Sequence, residues 1–202
     1  MTSFMDDQRN YLKTESHKAL RAPLDENLIS RIEKEIQSPD LSLEMRASLR
    51  LARFLENERI IKMPGEHIYA WRTIVSFPDI YAPGEKQRLT EGHHVHEQGR
   101  VCNLSSDWEG VLTGGLLKRK TGHPARDLAI DAVIAYADCY NDECLSNAVR
   151  FGAKHYPEAL KALRILHFAL WASNVYHNTL GRFDQYMYPF FKNDIESGYI
   201  TN

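Results

Sequence analysis

Leu24, Leu28, Ile29, Ile32 and Ile36 recur at the three- and four-residue spacing of a single helix face, which predicts a helix from about Pro23 to Gln37. Proline suits the first turn, where the amide it lacks would have no partner. Ser38-Pro39-Asp40 breaks the pattern. Ser42 is a natural N-cap, and a second helix is predicted from there to about Asn57, with Leu43, Ala47, Leu51, Phe54 and Leu55 facing inward. The short connection predicts an antiparallel pair within residues 1–62.

The texture changes over residues 63–106. Pro64-Gly65 marks a turn, and His67 to Val75 carries Ile68, Tyr69, Trp71, Thr73, Ile74 and Val75, residue types that favour strands. Beyond Pro78 come Pro83-Gly84 and then Glu91-Gly92-His93-His94-Val95-His96, read together as a long loop of the kind that carries sites. Residues 107–202 return to helices. Asp107 is placed to cap a helix with Trp108, Val111 and Leu112 that ends near Gly114-Gly115 or runs on to Leu117. Pro124 opens a segment apolar nearly all round (Leu128, Ile130, Ala132, Val133, Ile134, Tyr136), and Pro157 starts another over Glu158 to Trp171. A turn around Asn174 to Gly181 leads into Phe183, Tyr186, Tyr188, Phe190 and Phe191. The expectation is a mainly α, single-domain chain of 202 residues with a small strand-and-loop insert.

Charge narrows the function classes. Lys and Arg number 25 against 27 Asp and Glu, so there is no basic excess to neutralise nucleic-acid phosphates. No apolar run approaches the roughly 20 residues of a membrane span. Residues 1–10 hold no apolar stretch, so no signal peptide is expected. Cys102, Cys139 and Cys144, odd in number and without CxxC spacing, exclude a disulfide scaffold and fit a reducing cytoplasm.

Several clusters are chemical candidates. His93, His94 and His96 supply part of a metal ligand set, without an H-E-x-x-H spacing to complete it, and also read as solvated loop residues. Cys102 lies beside Arg100, a cation that favours thiolate, yet no His–Asp arrangement accompanies it; Cys139 and Cys144 read as structural. Asp131, Asp138, Asp142 and Glu143 could form a carboxylate cluster but read as a solvated helix end, and Lys118-Arg119-Lys120 as a favourable helix terminus. Arg182 and Asp184 stand among large apolar residues, where burial would require each to satisfy the other.

The same region carries a resemblance. Glu158-Ala159-Leu160, Leu166-His167-Phe168, Ser173-Asn174 and then the run Gly181-Arg182-Phe183-Asp184-Gln185-Tyr186-Met187-Tyr188-Pro189 resemble the glycyl radical enzymes, which include pyruvate formate-lyase and related diol dehydratases and decarboxylases. Gly99-Arg100-Val101, Asp107 to Leu112 with Gly115-Leu116, and Arg50 to Ile61 agree in order, so the resemblance spans about residues 45–200. It implies the helical N-terminal portion of a β/α barrel built from two half-barrels. In the family a glycyl radical, installed by a separate radical-SAM activase, abstracts hydrogen from a cysteine, and the thiyl radical attacks the substrate. Neither the family's cysteine loop nor its Arg-Val-Ala-Gly-Tyr-like glycine loop is matched in these 202 residues, so no catalytic residue and no cofactor is assigned to them. Carried over by motif, the substrate-pocket positions fall on Arg100, where the family has His, and on Tyr176 and His177, where it has His-Ser. An Arg and a His there would suit an anionic or polar substrate.

Two function classes follow. The first is a partial, truncated or split glycyl radical enzyme, inactive alone, that contributes scaffold and part of the substrate pocket to radical C–C or C–O cleavage. Its partners would be a C-terminal half or a second copy docked on exposed apolar surface, and the activase in the full enzyme, with neither nucleic acid nor membrane. The second is a non-catalytic, stand-alone helical protein that binds a small molecule or regulates a partner.

Overall fold

The computed structural model describes residue 6 and residues 9–10, 20–62, 65–92, 105–175 and 178–200. Among these run eight α-helices: α1 (Glu26–Ile36), α2 (Leu43–Asn57), α3 (Pro83–Glu91), α4 (Trp108–Gly114), α5 (Pro124–Asp138), α6 (Glu143–Phe151), α7 (Tyr156–Ala172) and α8 (Phe183–Glu196). A 3-10 turn, Leu117–Arg119, joins α4 to α5. The mainly α expectation holds.

Local signals explain most boundaries. Asp25 accepts hydrogen bonds from the amides of Asn27 and Leu28, so α1 begins at Glu26 and leaves Pro23 outside it. Ser42 accepts from Met45, as its residue type suggested. Ile32 and Ile36 pack with Ile80 in a small satellite core. The main core gathers around α5, which packs on α2, α6 and α7. Tyr136 of α5 stacks on Phe168 of α7 at 5.6 Å between ring centroids. Ala159, Ala162, Ala169 and Ala172 are buried along α7 and let neighbouring helices approach closely. Gly152, at φ 101°, ends α6 where a Cβ would lie 2.3 Å from the Thr113 carbonyl oxygen. The bare backbone there lets Ala153 donate to Leu112 at 2.7 Å, joining the ends of α4 and α6.

The strand-like stretch departs from expectation. Among the described residues there are isolated bridges, Ile74 with Ala22 and Ser105 with Thr179, but no strand. Residues 65–82 run extended with Tyr69, Ala70 and Ile74 buried, and side chains satisfy their backbone where a neighbouring strand would. The Ala70 amide donates to the Tyr140 hydroxyl, and the Ala70 carbonyl accepts from Arg164. The Thr73 amide donates to Glu58.

Other readings also change. Pro83 to Glu91, read as loop, is helical α3, fixed by the Glu85 carboxylate accepting from the Ala82 amide and from Arg46. Cys139 and Cys144 are exposed and so do not fill the core. Asp138 pairs with Arg150, and Asp142 caps α6 while pairing with Lys161, so these carboxylates organise a helix junction instead of merely facing solvent. Arg182 and Asp184 pair at the surface, each more than two-thirds exposed. No described helix is long and apolar enough to cross a membrane.

α8 is held to α7 by Asp194, which is fully buried. Its carboxylate accepts from the Tyr156 amide at 2.7 Å and lies 2.8 Å from His155 Nδ1, capping the first turn of α7 from another helix. Asp194→Ala would leave a buried amide unpartnered and is expected to cost about 2–4 kcal/mol in urea unfolding. Asp194→Asn keeps an acceptor and should lose less than half as much; equal losses would show that the cap is not what Asp194 contributes.

Candidate functional site

A cleft of about 300 Å³ opens between the middle of α2, residues 72–79, the first turn of α3 and the end of α7. Its polar lining includes Arg50, Arg72, Ser76, Asp79, Lys86 and Asn174, and its apolar surface comes from Phe54, Phe77 and Trp171. Arg50 is buried and ties its own helix to two other segments. Nε donates to the Pro78 carbonyl at 2.7 Å, one terminal nitrogen to the Ala172 carbonyl at 2.5 Å, and the other to Asn174 Oδ1 at 3.2 Å. Ala172 is the last residue of α7, so a cation meets a carbonyl that the helix itself cannot satisfy. Arg72 lies 4.4 Å above the Trp171 ring and donates to the carbonyls of Ile74 and Val75. Lys86 pairs with Asp79 at 3.1 Å. Three cations and one carboxylate beside aromatic surface fit a small polar or anionic molecule with an apolar portion. No group of three or more metal-ligating side chains occurs among the described residues.

The wall behind the cleft is a buried polar network. Glu58 Oε1 accepts from both the amide and the hydroxyl of Thr73. Burial pushes the Glu58 carboxyl up, against the Thr73 donors, the Ile74 amide and the Arg72 charge. The Tyr140 hydroxyl, 2.9 Å from that of Tyr136, is pushed up to about 12 by burial. At the far edge burial works to raise Asp142, but Lys161, the Leu145 amide and the Tyr69 hydroxyl outweigh it and hold the carboxyl at about 2.

Arg100, Tyr176 and His177 lie outside the described residues, as do His93, His94, His96 and Cys102. The segments that flank the pocket candidates are nevertheless brought together. Ser105, five residues after Arg100, bridges Thr179, two after His177. Trp108 Nε1 donates to the Thr179 carbonyl at 2.9 Å. Gly181 explains its place in the aromatic motif: it sits at φ 58°, and a Cβ would lie 2.5 Å from Ser105 Oγ. Tyr186 of the same motif reaches back to the Leu180 carbonyl at 2.8 Å, while Tyr186, Met187 and Phe190 are buried against the body. Asn174, which lines the cleft, precedes Thr179 by five residues in the chain.

Residues 142–202 match a family model described as pyruvate formate lyase-like, covering α6 to α8 and the whole aromatic motif. Solved structures extend the likeness across the chain. A structure of 1,2-propanediol dehydration in Roseburia inulinivorans matches with a TM-score of 0.63 at 16% identity, over 93% of this chain and 37% of that one. A glycyl radical enzyme from Archaeoglobus fulgidus matches at 0.62 and 16% identity, over 92% and 38%. This chain has a partial glycyl radical enzyme fold. The glycerol-bound B12-independent glycerol dehydratase from Clostridium butyricum matches at 0.59 and 17% identity, over 91% of this chain and 36% of that one. The chain therefore spans a little over a third of the length of the structures it resembles. No curated protein matches its sequence.

The residues of the cleft are spread from position 50 to 174 and form no motif. One signal for it stood in the sequence: Arg46 and Arg50 share a helix face with Leu43, Ala47 and Phe54, where cations must find partners. Arg50→Lys has a single nitrogen for three acceptors and is expected to lower stability by about 2 kcal/mol. Urea midpoints of the variant and the parent check this, and an unchanged midpoint would show that Arg50 does not tie the three segments.

Proposed function

We propose that this chain is the N-terminal portion of a glycyl radical enzyme of the pyruvate formate-lyase and dehydratase type, contributing scaffold and one side of the substrate pocket. The observation that carries this reading is the Ser105–Thr179 bridge: it joins the segments that lead to Arg100 and to Tyr176-His177, directly before the family-matched motif. In this reading Arg100 and His177 orient an anionic or polar substrate, and Tyr176 packs beside it. The glycyl radical, supplied elsewhere in the enzyme by a radical-SAM activase, provides the hydrogen abstraction that starts C–C or C–O cleavage. The Asp194 and Arg50 contacts keep α7, α8 and α2 rigid behind the pocket, as positioning of reacting groups requires.

The test is anaerobic isolation of the native product that contains this sequence, followed by activase treatment, electron paramagnetic resonance and intact mass. The expected result is a glycyl radical in a larger polypeptide or complex containing residues 1–202, and none on the 202-residue chain alone. A native 23.3 kDa product with no radical-bearing partner would contradict the reading. That outcome would favour a stand-alone small-molecule-binding protein, for which the cleft, lined entirely from within this chain, supplies the site.

A further inference from the structure

We propose that the cleft between α2, residues 72–79, α3 and the end of α7 is a binding site for a small carboxylate with a flat apolar body. Its anionic end meets the cations of the lining, and its body covers the apolar surface beside them. The inference needs neither the pocket at Arg100 and His177 nor a radical-bearing partner, so it can fail while the reading above stands.

Charge selects the sign of the ligand. Arg50, Arg72 and Lys86 against Asp79 give the lining a net charge of +2, in a chain whose net charge is -2. The positive lining is therefore a local property and not the overflow of a basic protein. Asp79 is the one acidic side chain in it, and both its oxygens already hold a donor. Oδ1 accepts from the Ile80 amide at 2.7 Å and Oδ2 from Lys86 at 3.1 Å. Low-dielectric walls concentrate such a field within the cleft.

The cations are also held in place. Arg72 lies 4.4 Å above the Trp171 ring and donates to two carbonyls of its own segment. Arg50 lies 5.5 Å from the centre of the Phe77 ring and is anchored by three acceptors. Planar guanidiniums fixed before a ligand arrives match the two oxygens of a carboxylate and lose little freedom on binding. Lys86 is less confined, with its side chain 44% exposed at the first turn of α3.

Size and apolar surface set the rest of the ligand. A volume of about 300 Å³ holds about ten water-sized groups, enough for one ring and one acid group and too small for a nucleotide. Phe54 and Phe77 meet edge to face at 5.2 Å in the lining, and Val75, also in it, is 48% exposed. A flat apolar body gains by covering these groups, and a bare inorganic anion does not.

The test follows backbone amide shifts of the isotope-labelled chain during titration with benzoate, benzamide and inorganic phosphate at constant pH and ionic strength. Benzoate is expected to give saturable shifts at Val75, Ser76, Phe77 and Lys86, with a Kd of about a millimolar or tighter. Benzamide keeps the shape without the charge, and phosphate keeps the charge without the ring; each should bind about tenfold or more weakly. Ser76 lines the cleft and is exposed, so its side chain can be changed without disturbing the core. Ser76→Asp adds a carboxylate and should weaken benzoate about tenfold, whereas Ser76→Asn, of the same size and uncharged, should stay within about twofold of the parent. Absence of saturable benzoate shifts at the cleft overturns the proposal. So does benzamide or phosphate binding as tightly as benzoate, the latter marking an adventitious ion only. Equal weakening by both Ser76 variants overturns it as well.

Discussion

A guanidinium enclosed by protein must find acceptors where it stands, and Arg50 finds three of them on two segments that are far from it and from each other in sequence. The carbonyls of Pro78 and Ala172 and the amide oxygen of Asn174 fix the distance between α2, the extended segment and the end of α7. The cleft is the space left between those segments. Arg46, one turn earlier on α2, repeats the device by pairing with Glu85 at the start of α3. Helix α3 buries no residue of its own, so this pair, the Glu85 cap and the Lys86–Asp79 pair locate it.

The extended segment shows how the fold manages without a sheet. Its main-chain groups are satisfied one at a time by Tyr140, Arg164 and Glu58, all from neighbouring helices or their ends. Ala70 pays a conformational penalty for this path: it sits at φ 79°, a left-handed backbone worth about 1–3 kcal/mol for a residue with a Cβ. The two hydrogen bonds on Ala70 offset that penalty and hold the turn in register with α5 and α7. Burial of Tyr69 and Ile74 on either side of the turn adds to the same restraint.

Helices with a cap and a periodic apolar face were legible residue by residue. Ser42, Asp107 and Pro124 mark the starts of α2, α4 and α5, and the all-round apolar character of α5 corresponds to its place between α2, α6 and α7. α3 was hidden because it has no buried face to write a pattern. α6 was hidden because nine residues give too few turns for one, although Asp142, Leu145, Ala148 and Val149 spell a cap and a stripe. His67 to Val75 misled because β-branched and aromatic residues report a half-buried extended chain, whether or not a second strand pairs with it. The aromatic motif was legible as a resemblance, and the structure adds the physical reason for its glycine and its first tyrosine. The cleft was the least legible element, since tertiary packing alone assembles residues separated by more than a hundred positions.

The proposed substrate pocket requires that the chain beyond the Ser105–Thr179 bridge bring Arg100 and His177 together. Cysteine pairs introduced in a variant with Cys102, Cys139 and Cys144 replaced by serine test it most directly, with a short bismaleimide as the ruler. Ser105→Cys with Thr179→Cys serves as the reference pair and is expected to crosslink within the chain. The account predicts that Arg100→Cys with His177→Cys crosslinks to a comparable extent. A reference pair that joins while the pocket pair stays open would contradict it.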